Sequence, residues 1–259
     1  MRSLVWLALV AALVCPHRGP RSSSIELAPA QPAMTVGVTD EGPESTVAPP
    51  APTKGAPARS KADLAALDEM LRGSKGRLQH WTHAPELVVL LSVMDYRGEG
   101  GAESVATEAA LTDAEADGLV ADLTAALAIL TDHTYVHFAA VHRESVAAGS
   151  QTAISRPGQI VVGRYNGVRS LVKTIGFGGR SAWADGTIAS GAIVLDSDYD
   201  RTSDLRRLLR THELGHALGY NHVQSRTSIM NPSIGPEPTD FDRMAAQIAF
   251  GGMARAFSN

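Results

Sequence analysis

One short stretch of the sequence places histidine and glutamate at a spacing that suits metal chemistry. It reads His-Glu-Leu-Gly-His-Ala-Leu-Gly-Tyr-Asn-His and begins at His212. On a helix, residues four apart lie one turn above each other, so His212 and His216 can present their imidazoles to one ion. Glu213 follows the first histidine and can lean over the same site without displacing a ligand. The pattern predicts a metal site with an adjacent base.

A third histidine completes the predicted ligand set. Gly219 follows the helical pair, and glycine readily adopts the positive φ that ends a helix and reverses the chain. The reversal would bring His222 back toward the first two histidines. Three imidazoles on a tetrahedral zinc leave one position open for water, which is typical of catalytic sites. Zinc lowers the pKa of such a water to about 7, and Glu213 would take the proton as that water attacks a carbonyl.

Strands and helices must position this motif. A helix is predicted over residues 205–218, and its N-cap candidates are the polar residues Thr202, Ser203 and Asp204. The Gly-rich segment 176–191 predicts a loop, and residues 192–196 predict a strand. Further strands are predicted over 86–96, 135–143 and 159–164, and a helix over 112–130. This order of elements indicates an α+β or α/β sandwich.

These residues resemble the metzincin family of zinc endopeptidases, whose signature continues from the three histidines to a methionine turn. Residues 228–232, Ser-Ile-Met-Asn-Pro, look like that turn. Met230 would then form an apolar floor beneath the metal without binding it. Met230 follows His222 by eight positions, a short spacing that is similar to the matrixin branch.

The resemblance implies an α+β fold in which a mixed twisted sheet packs on the active-site helix and a second long helix. A C-terminal helix, residues 240–250, would follow the methionine turn. The resemblance also implies a peptide substrate that binds along an edge strand, which maps onto residues 191–195. The segment 231–238 would wall the pocket for the side chain after the cleaved bond.

Departures from the family limit what carries over. The chain has no cysteine after Cys15, which excludes latency through a propeptide cysteine as well as a thiolate zinc site. The segment 176–191 lacks a clear match to the ligands of a second, structural zinc, so one catalytic Zn²⁺ is expected. Val223 stands where matrixins usually have serine.

The N-terminal part predicts export. Met1 and Arg2 precede an apolar run, Leu4 to Cys15, that is shorter than the roughly 20 residues of a transmembrane helix. Residues 1–20 therefore predict a signal sequence and a secreted or cell-envelope protein; an uncleaved apolar N-terminus is the alternative, and lipidation of Cys15 stays open. Residues 21–79 predict a Pro/Ala-rich tether or pro-segment with a short helix at 61–72, and residues 80–259 the zinc metalloprotease domain.

Other residues carry weaker signals. Asp196, Asp198 and Asp200 alternate as in a calcium loop, but arginines stand where an EF-hand needs Gly and Glu, so a looser Ca²⁺ site is the alternative to turn and capping roles. Ordinary hydrogen-bonded or surface roles are expected for the remaining candidate histidines, His80, His83, His133, His137 and His142. Trp81 and Trp183 are expected to pack in the core.

The net charge of −4 shows no excess of basic residues of the kind that binds nucleic acid. We therefore expect an exported zinc endopeptidase acting on proteins or peptides, with no nucleic-acid partner and no transmembrane domain. The oligomeric state stays open, with a monomer favoured. The alternative from another class is a tethered, zinc-stabilised binding domain without turnover. A third candidate is a protease that cleaves only one partner or its own pro-segment.

Overall fold

The computed structural model describes residues 60–72 and 76–251. The predicted signal sequence, Cys15 and the tether up to residue 59 lie outside the described residues. Within the described part of the chain, no helix is long and apolar enough to cross a membrane. Six helices and one mixed sheet of seven strands are present there, which confirms the α+β class. In chain order the elements are α1 Lys61–Arg72, β1 Glu86–Leu90, β2 Ser92–Asp95, β3 Val105–Ala110, α2 Asp113–Leu130, β4 Val141–Glu144, β5 Gln159–Asn166, α3 Val168–Val172, β6 Gly176–Ala182, β7 Ile188–Asp196, α4 Ser197–Thr202, α5 Arg206–Leu218 and α6 Asp240–Ala249.

Strand β5 lies at the centre of the sheet. It pairs in parallel with β1 and β2 on one side and with β7 on the other. On the outer side, β1 pairs in parallel with β4, while β2 pairs antiparallel with β3. Strand β6 pairs antiparallel with β7 and is the edge strand at that end. The middle of β5 is apolar, and its side chains enter a hydrophobic cluster on each face of the sheet, with Ile160 and Val162 in one and Val161 in the other.

The position of β6 corrects two predictions. The segment 176–191 was predicted as a loop because glycine is rare in strands, yet it contains β6 and the start of β7. The substrate edge was predicted at residues 191–195, but these belong to β7 and lie between β5 and β6. Gly178 explains the composition of β6: a Cβ there would lie 2.1 Å from the carbonyl oxygen of Glu213. The strand packs directly on α5, and this approach excludes a side chain.

The two long helices agree with the sequence, but one cap does not. Helix α2 begins after Thr112, which shares a capping box with Glu115. Helix α5 begins after Leu205, so the polar N-cap candidates before it were wrong. The strand predicted over 135–143 is reduced to β4, because Tyr135 instead packs against the core and donates a hydrogen bond to the carbonyl oxygen of Trp81 at 3.0 Å.

Helix α1 belongs to the folded unit. Its apolar face is buried in the main core, with Leu67 and Met70 almost inaccessible to solvent. All the described residues, α1 included, fall within one of the two units into which the chain divides. The sequence assigned this helix to the tether, because the amphipathic pattern of a short helix does not reveal what its apolar face covers.

Candidate active site

Helix α5 and the turn after it bring three histidines together. His212 and His216 lie one turn apart on α5, and His222 follows the turn. The Nε2 atom of His222 is 3.2 Å from Nε2 of His212 and 3.1 Å from Nε2 of His216. In the described part of the chain, these residues form the one group of three or more side chains with metal-ligand atoms in mutual reach.

Gly219 makes the reversal of the chain. It has φ 122°, in the region that glycine alone adopts at little cost, and it ends α5. A Cβ at this position would also lie 2.3 Å from the carbonyl oxygen of Gln79. Both the backbone conformation and the close contact therefore require glycine here, as the sequence predicted.

Backbone carbonyls fix the proton positions on two of the imidazoles. His212 Nδ1 donates to the carbonyl oxygen of Ile229 at 2.7 Å, and His216 Nδ1 donates to that of Tyr220 at 2.9 Å. A carbonyl oxygen can only accept, so each Nδ1 carries the proton and each Nε2 presents a lone pair. These lone pairs face Nε2 of His222.

This arrangement fits a tetrahedral zinc ion. Two nitrogens that each lie about 2.0–2.1 Å from one tetrahedral ion are about 3.3–3.4 Å apart. The observed separations of 3.2 and 3.1 Å are close to that value. Metal-binding histidines also commonly donate their other ring N–H to a backbone carbonyl, as His212 and His216 do here.

Burial keeps the three imidazoles neutral. It lowers the pKa of His212 to about 4 and holds the pKa of His216 well below its ordinary value, where the neighbouring imidazoles add to the effect. The pKa of His222, the most exposed of the three, is lowered by partial burial. Neutral imidazoles are the form that binds a metal, so no proton has to be displaced at neutral pH.

Glu213 lies on α5, and its side chain faces the edge strand β6. Burial raises the pKa of its carboxyl to about 8, while a hydrogen bond from the backbone N–H of Gly178 acts in the opposite direction. A cation close to this carboxylate would favour its charged form, because opposite charges attract. Glu213 can therefore hold or release a proton beside the histidines.

The predicted methionine turn packs beneath the motif. Met230 is fully buried, and a Cβ at Gly215 would lie 2.4 Å from its sulfur, so the methionine lies against α5 between the two helical histidines. Helix α6 supports this turn, because Asp242 accepts hydrogen bonds from Ser228 Oγ and from the backbone N–H of Ile229. The turn thereby holds the carbonyl oxygen that orients His212.

Comparison with protein families gives a decisive match. The model described as Matrixin matches residues 114–247, just over half of the chain. The chain belongs to the matrixin family. Matrixins are zinc metallopeptidases, and the resemblance predicted from the motif is confirmed. No individual curated protein matches this matrixin.

Two residue groups singled out in the sequence of this matrixin have other roles. Asp200 is completely buried and accepts hydrogen bonds from Arg164 and Arg210, while Asp196 caps α4. The three alternating aspartates are not a metal-ligand group in the described part of the chain. His142 lies on β4, where its Nε2 is 3.2 Å from Glu86 Oε2.

The two tryptophans differ. Trp81 is buried and donates its indole N–H to the carbonyl oxygen of Ala217 at 3.0 Å, which confirms the predicted packing role. Trp183 is 66% exposed in the turn between β6 and β7, so its predicted packing role was wrong. The residues around Trp183 show no apolar periodicity, so the sequence did not distinguish this exposed tryptophan from the buried Trp81.

Sequence reasoning missed Arg180, which lies on β6 with its guanidinium against the C-terminal end of α5. A single basic residue in a segment interpreted as a loop gives no signal of such a contact. The backbone acceptors of the histidine protons, at Tyr220 and Ile229, were also missed, because carbonyl groups carry no sequence signature.

Proposed function

We propose that this matrixin is an exported zinc endopeptidase in which His212, His216 and His222 bind one catalytic Zn²⁺ and Glu213 is the general base. The convergence of three imidazole nitrogens is the observation that carries the proposal. When bound, zinc lowers the pKa of a coordinated water to about 7 and polarises the substrate carbonyl.

The residues of the chain divide the remaining work. The Glu213 carboxylate accepts a proton from the attacking water and passes it to the nitrogen of the departing amine. In the described part of the chain, strand β6 pairs with β7 alone and has no strand on its outer side, which suits the addition of an extended peptide. Because Gly178 of β6 packs on α5 beside Glu213 and His216, a peptide paired with β6 would lie next to the histidines.

The pocket beside the cleaved bond is assigned to the loop after the motif. Residues 224–227 and 231–233 line an open cavity there. The prolines of segment 231–238 favour a stiff wall, because each proline fixes its own φ.

We further propose the following organisation of the chain. Residues 1–20 are a signal sequence, supported by the charged start and the apolar run, and the protein is secreted or retained in the cell envelope. The tether ends near residue 59, since α1 packs with the catalytic unit. A pro-segment role for residues 21–59 would follow if the purified full-length chain removed them, which N-terminal sequencing after incubation can detect.

Replacing Glu213 with Gln tests the proposal. The amide cannot accept the proton, so peptide hydrolysis should fall by about 10²–10⁴-fold, while zinc content stays unchanged. Asp204→Asn is the matched control, because this exposed carboxylate lies just before the same helix. Cleavage of a fluorogenic peptide library, together with zinc analysis, measures both quantities.

The same library separates the alternatives. The zinc-stabilised binding domain would be supported if the wild-type protein binds zinc but shows no cleavage. Cleavage would have to be absent for the peptides of the library, for a partner protein and for its own N-terminal segment. A chelator-sensitive cleavage that Glu213→Gln leaves undiminished would contradict the role assigned to Glu213.

A further inference from the structure

Arg180 is a partly buried cation, and none of its hydrogen-bond partners among the described residues is a carboxylate. Burial lowers the pKa of its guanidinium to about 10, so the group still carries its charge at neutral pH. All four of its hydrogen bonds go to neutral oxygens. These are Gln79 Oε1 at 2.7 Å, the carbonyl oxygen of His216 at 3.0 Å, that of Tyr220 at 3.2 Å and Asn221 Oδ1 at 3.1 Å. A partly buried cation is stabilised by such acceptors because they replace the water that it loses.

The acceptors of Arg180 share one location. Three of them belong to the end of α5 and the turn that leads to His222. The C-terminal end of a helix carries a partial negative charge and carbonyl groups without helical partners, so a guanidinium there is stabilised by both. Arg180 therefore fastens the edge strand β6 to the segment that carries the second and third histidines.

One of these carbonyls links Arg180 directly to a histidine. The Tyr220 oxygen accepts from Arg180 Nη1 and from His216 Nδ1. The hydrogen bond to Nδ1 sets the orientation of the His216 imidazole, so the position of the Tyr220 carbonyl decides where His216 Nε2 points. Arg180 therefore contributes to the position of that carbonyl oxygen through its own hydrogen bond.

Asn221 extends the contact to helix α1. Its side-chain amide accepts from Arg180 with Oδ1 and donates with Nδ2 to the carbonyl oxygen of Met70 at 3.0 Å. Its backbone N–H donates to the same Met70 oxygen at 2.8 Å. Asn221, which directly precedes His222, is therefore held by Arg180 of β6 and by Met70 of α1.

Helix α1 also holds the segment after His222. Glu69 accepts from the backbone N–H of Gln224 and from Ser225 Oγ, each at 3.1 Å. Nearly two turns earlier on α1, Asp63 pairs with Arg226 at 2.9 Å. Anchors on α1 therefore lie on both sides of His222, which is itself exposed.

We infer that Arg180, Asn221 and helix α1 form a positioning network that holds His216 and His222 in the geometry needed to bind a metal. The inference rests on the proposed function, because it concerns the same histidines. Neither Arg180, Asn221 nor any residue of α1 belongs to the group of side chains with metal-ligand atoms in mutual reach. Helix α1 lies before residues 114–247, the part that matches the matrixin model.

Zinc affinity of the full-length chain, measured by competition with a chromophoric chelator, tests the inference. Arg180→Met and Asn221→Ala should each weaken zinc binding by about 10–100-fold, the usual effect of losing a group that orients a metal ligand. Arg180→Lys keeps a cation that can reach the helix carbonyls and should restore part of the affinity. Glu69→Gln removes an outer contact and should weaken binding by about two- to fivefold.

Matched controls come from the same elements and residue types. Asp68→Asn changes the carboxylate next to Glu69 that faces solvent, and Arg156→Lys changes an arginine that pairs with Glu144 away from the site. Both should bind zinc as the wild type does. Circular dichroism identifies the variants that remain folded, and Asn221→Ala and Arg180→Lys keep the test valid if Arg180→Met does not fold.

The visible spectrum of the cobalt-substituted protein adds a readout that a purely stabilising role would leave unchanged. Folded Arg180→Met and Asn221→Ala should show altered d–d bands although all three histidines are present. Wild-type zinc affinity and cobalt spectra in these folded variants would overturn the inference and leave the proposed function standing. A wild-type chain that binds no zinc would overturn both.

Discussion

Helix α5 carries two buried polar centres that satisfy their side chains in different ways. Around Arg210, every charge meets an opposite charge: Asp200 accepts from Arg210 and Arg164 at 2.7 Å, and these arginines also pair with Asp122 and Glu115. Two residues further along, at His212, three imidazoles converge without a charged partner among them, and Nε2 of His222 lies 3.2 and 3.1 Å from those of His212 and His216. In the first centre the charged groups satisfy one another, whereas the second brings together three nitrogens that can bind a cation.

The charged network around Asp200 is structural, whereas the histidine group can bind a ligand, and the chemistry of their side chains is what distinguishes them. Burial by itself does not distinguish them, since Asp200 and His212 are both buried. What distinguishes them is the chemistry of their neighbours: Asp200 lies among side chains of opposite charge, whereas His212 lies beside two more imidazoles. We therefore expect changes around Asp200 to act on stability at any zinc concentration, and changes among the histidines to act only through the metal.

The largest effect is expected for Asp200→Asn. Removing this charge leaves two buried guanidinium groups without their central partner, which should cost about 3–5 kcal/mol of unfolding free energy. Urea unfolding of the zinc-free protein measures it. Asp198→Asn, an exposed carboxylate on the same short helix, should cost only a few tenths of a kcal/mol. A loss below about 1 kcal/mol in Asp200→Asn would mean that the network is not a stabilising unit.

An intermediate effect is expected for His222→Ala, and it should depend on zinc. A ligand that binds only the folded state at 100 times its dissociation constant adds about 2.7 kcal/mol of stability. Wild-type protein should gain this amount from zinc, while His222→Ala, which removes one of three ligands, should gain far less. Without zinc the two proteins should unfold at nearly the same urea concentration, because His222 is exposed. Equal zinc-dependent gains would remove His222 from the ligand set.

The smallest effect is expected for Glu115→Gln, at the edge of the charged network. The backbone N–H of Thr112, followed by Arg164, lowers the pKa of Glu115 to about 2. A carboxyl whose pKa is lower in the folded state stabilises the fold above its unfolded pKa, and this contribution disappears as the pH falls from about 4.5 to about 2. Glu115→Gln should therefore cost about 1–2 kcal/mol at pH 7 and progressively less below pH 4.5.

Asp113→Asn is the control for this pH dependence, because Asp113 lies exposed on the same helical turn. The difference between wild type and control should stay within a few tenths of a kcal/mol from pH 7 to pH 3. A cost of Glu115→Gln that does not change between pH 7 and pH 3 would show that the charge of Glu115 is not what stabilises this corner.

The features that the sequence predicted are those in which neighbours along the chain also act together. The spacing of His212, His216 and His222 specifies a helix followed by a reversal, and the structure brings them into mutual reach. The helix predicted over 112–130 is likewise set by local features, because its acidic residues lie in its own first turn and Thr112 and Glu115 satisfy each other within that turn. In such patterns the interacting residues are close in the sequence, so their spacing alone predicts how they are arranged.

The features that failed depend on distant parts of the chain. The glycines of β6 look like a loop until the contact between Gly178 and α5 is known. The order of strands around β5 decides that β6, and not β7, is the edge, and no pattern within either strand contains that order. Arg180 and α1 matter through contacts more than 35 positions away, which a sequence pattern does not report.

Zinc-edge X-ray absorption of the zinc-loaded wild type, compared with His222→Ala, tests the central claim most directly. The account predicts one zinc per chain with three imidazole ligands about 2.0–2.1 Å away, and one imidazole fewer in the variant. A wild-type spectrum without three imidazoles, or an unchanged spectrum in His222→Ala, would contradict it.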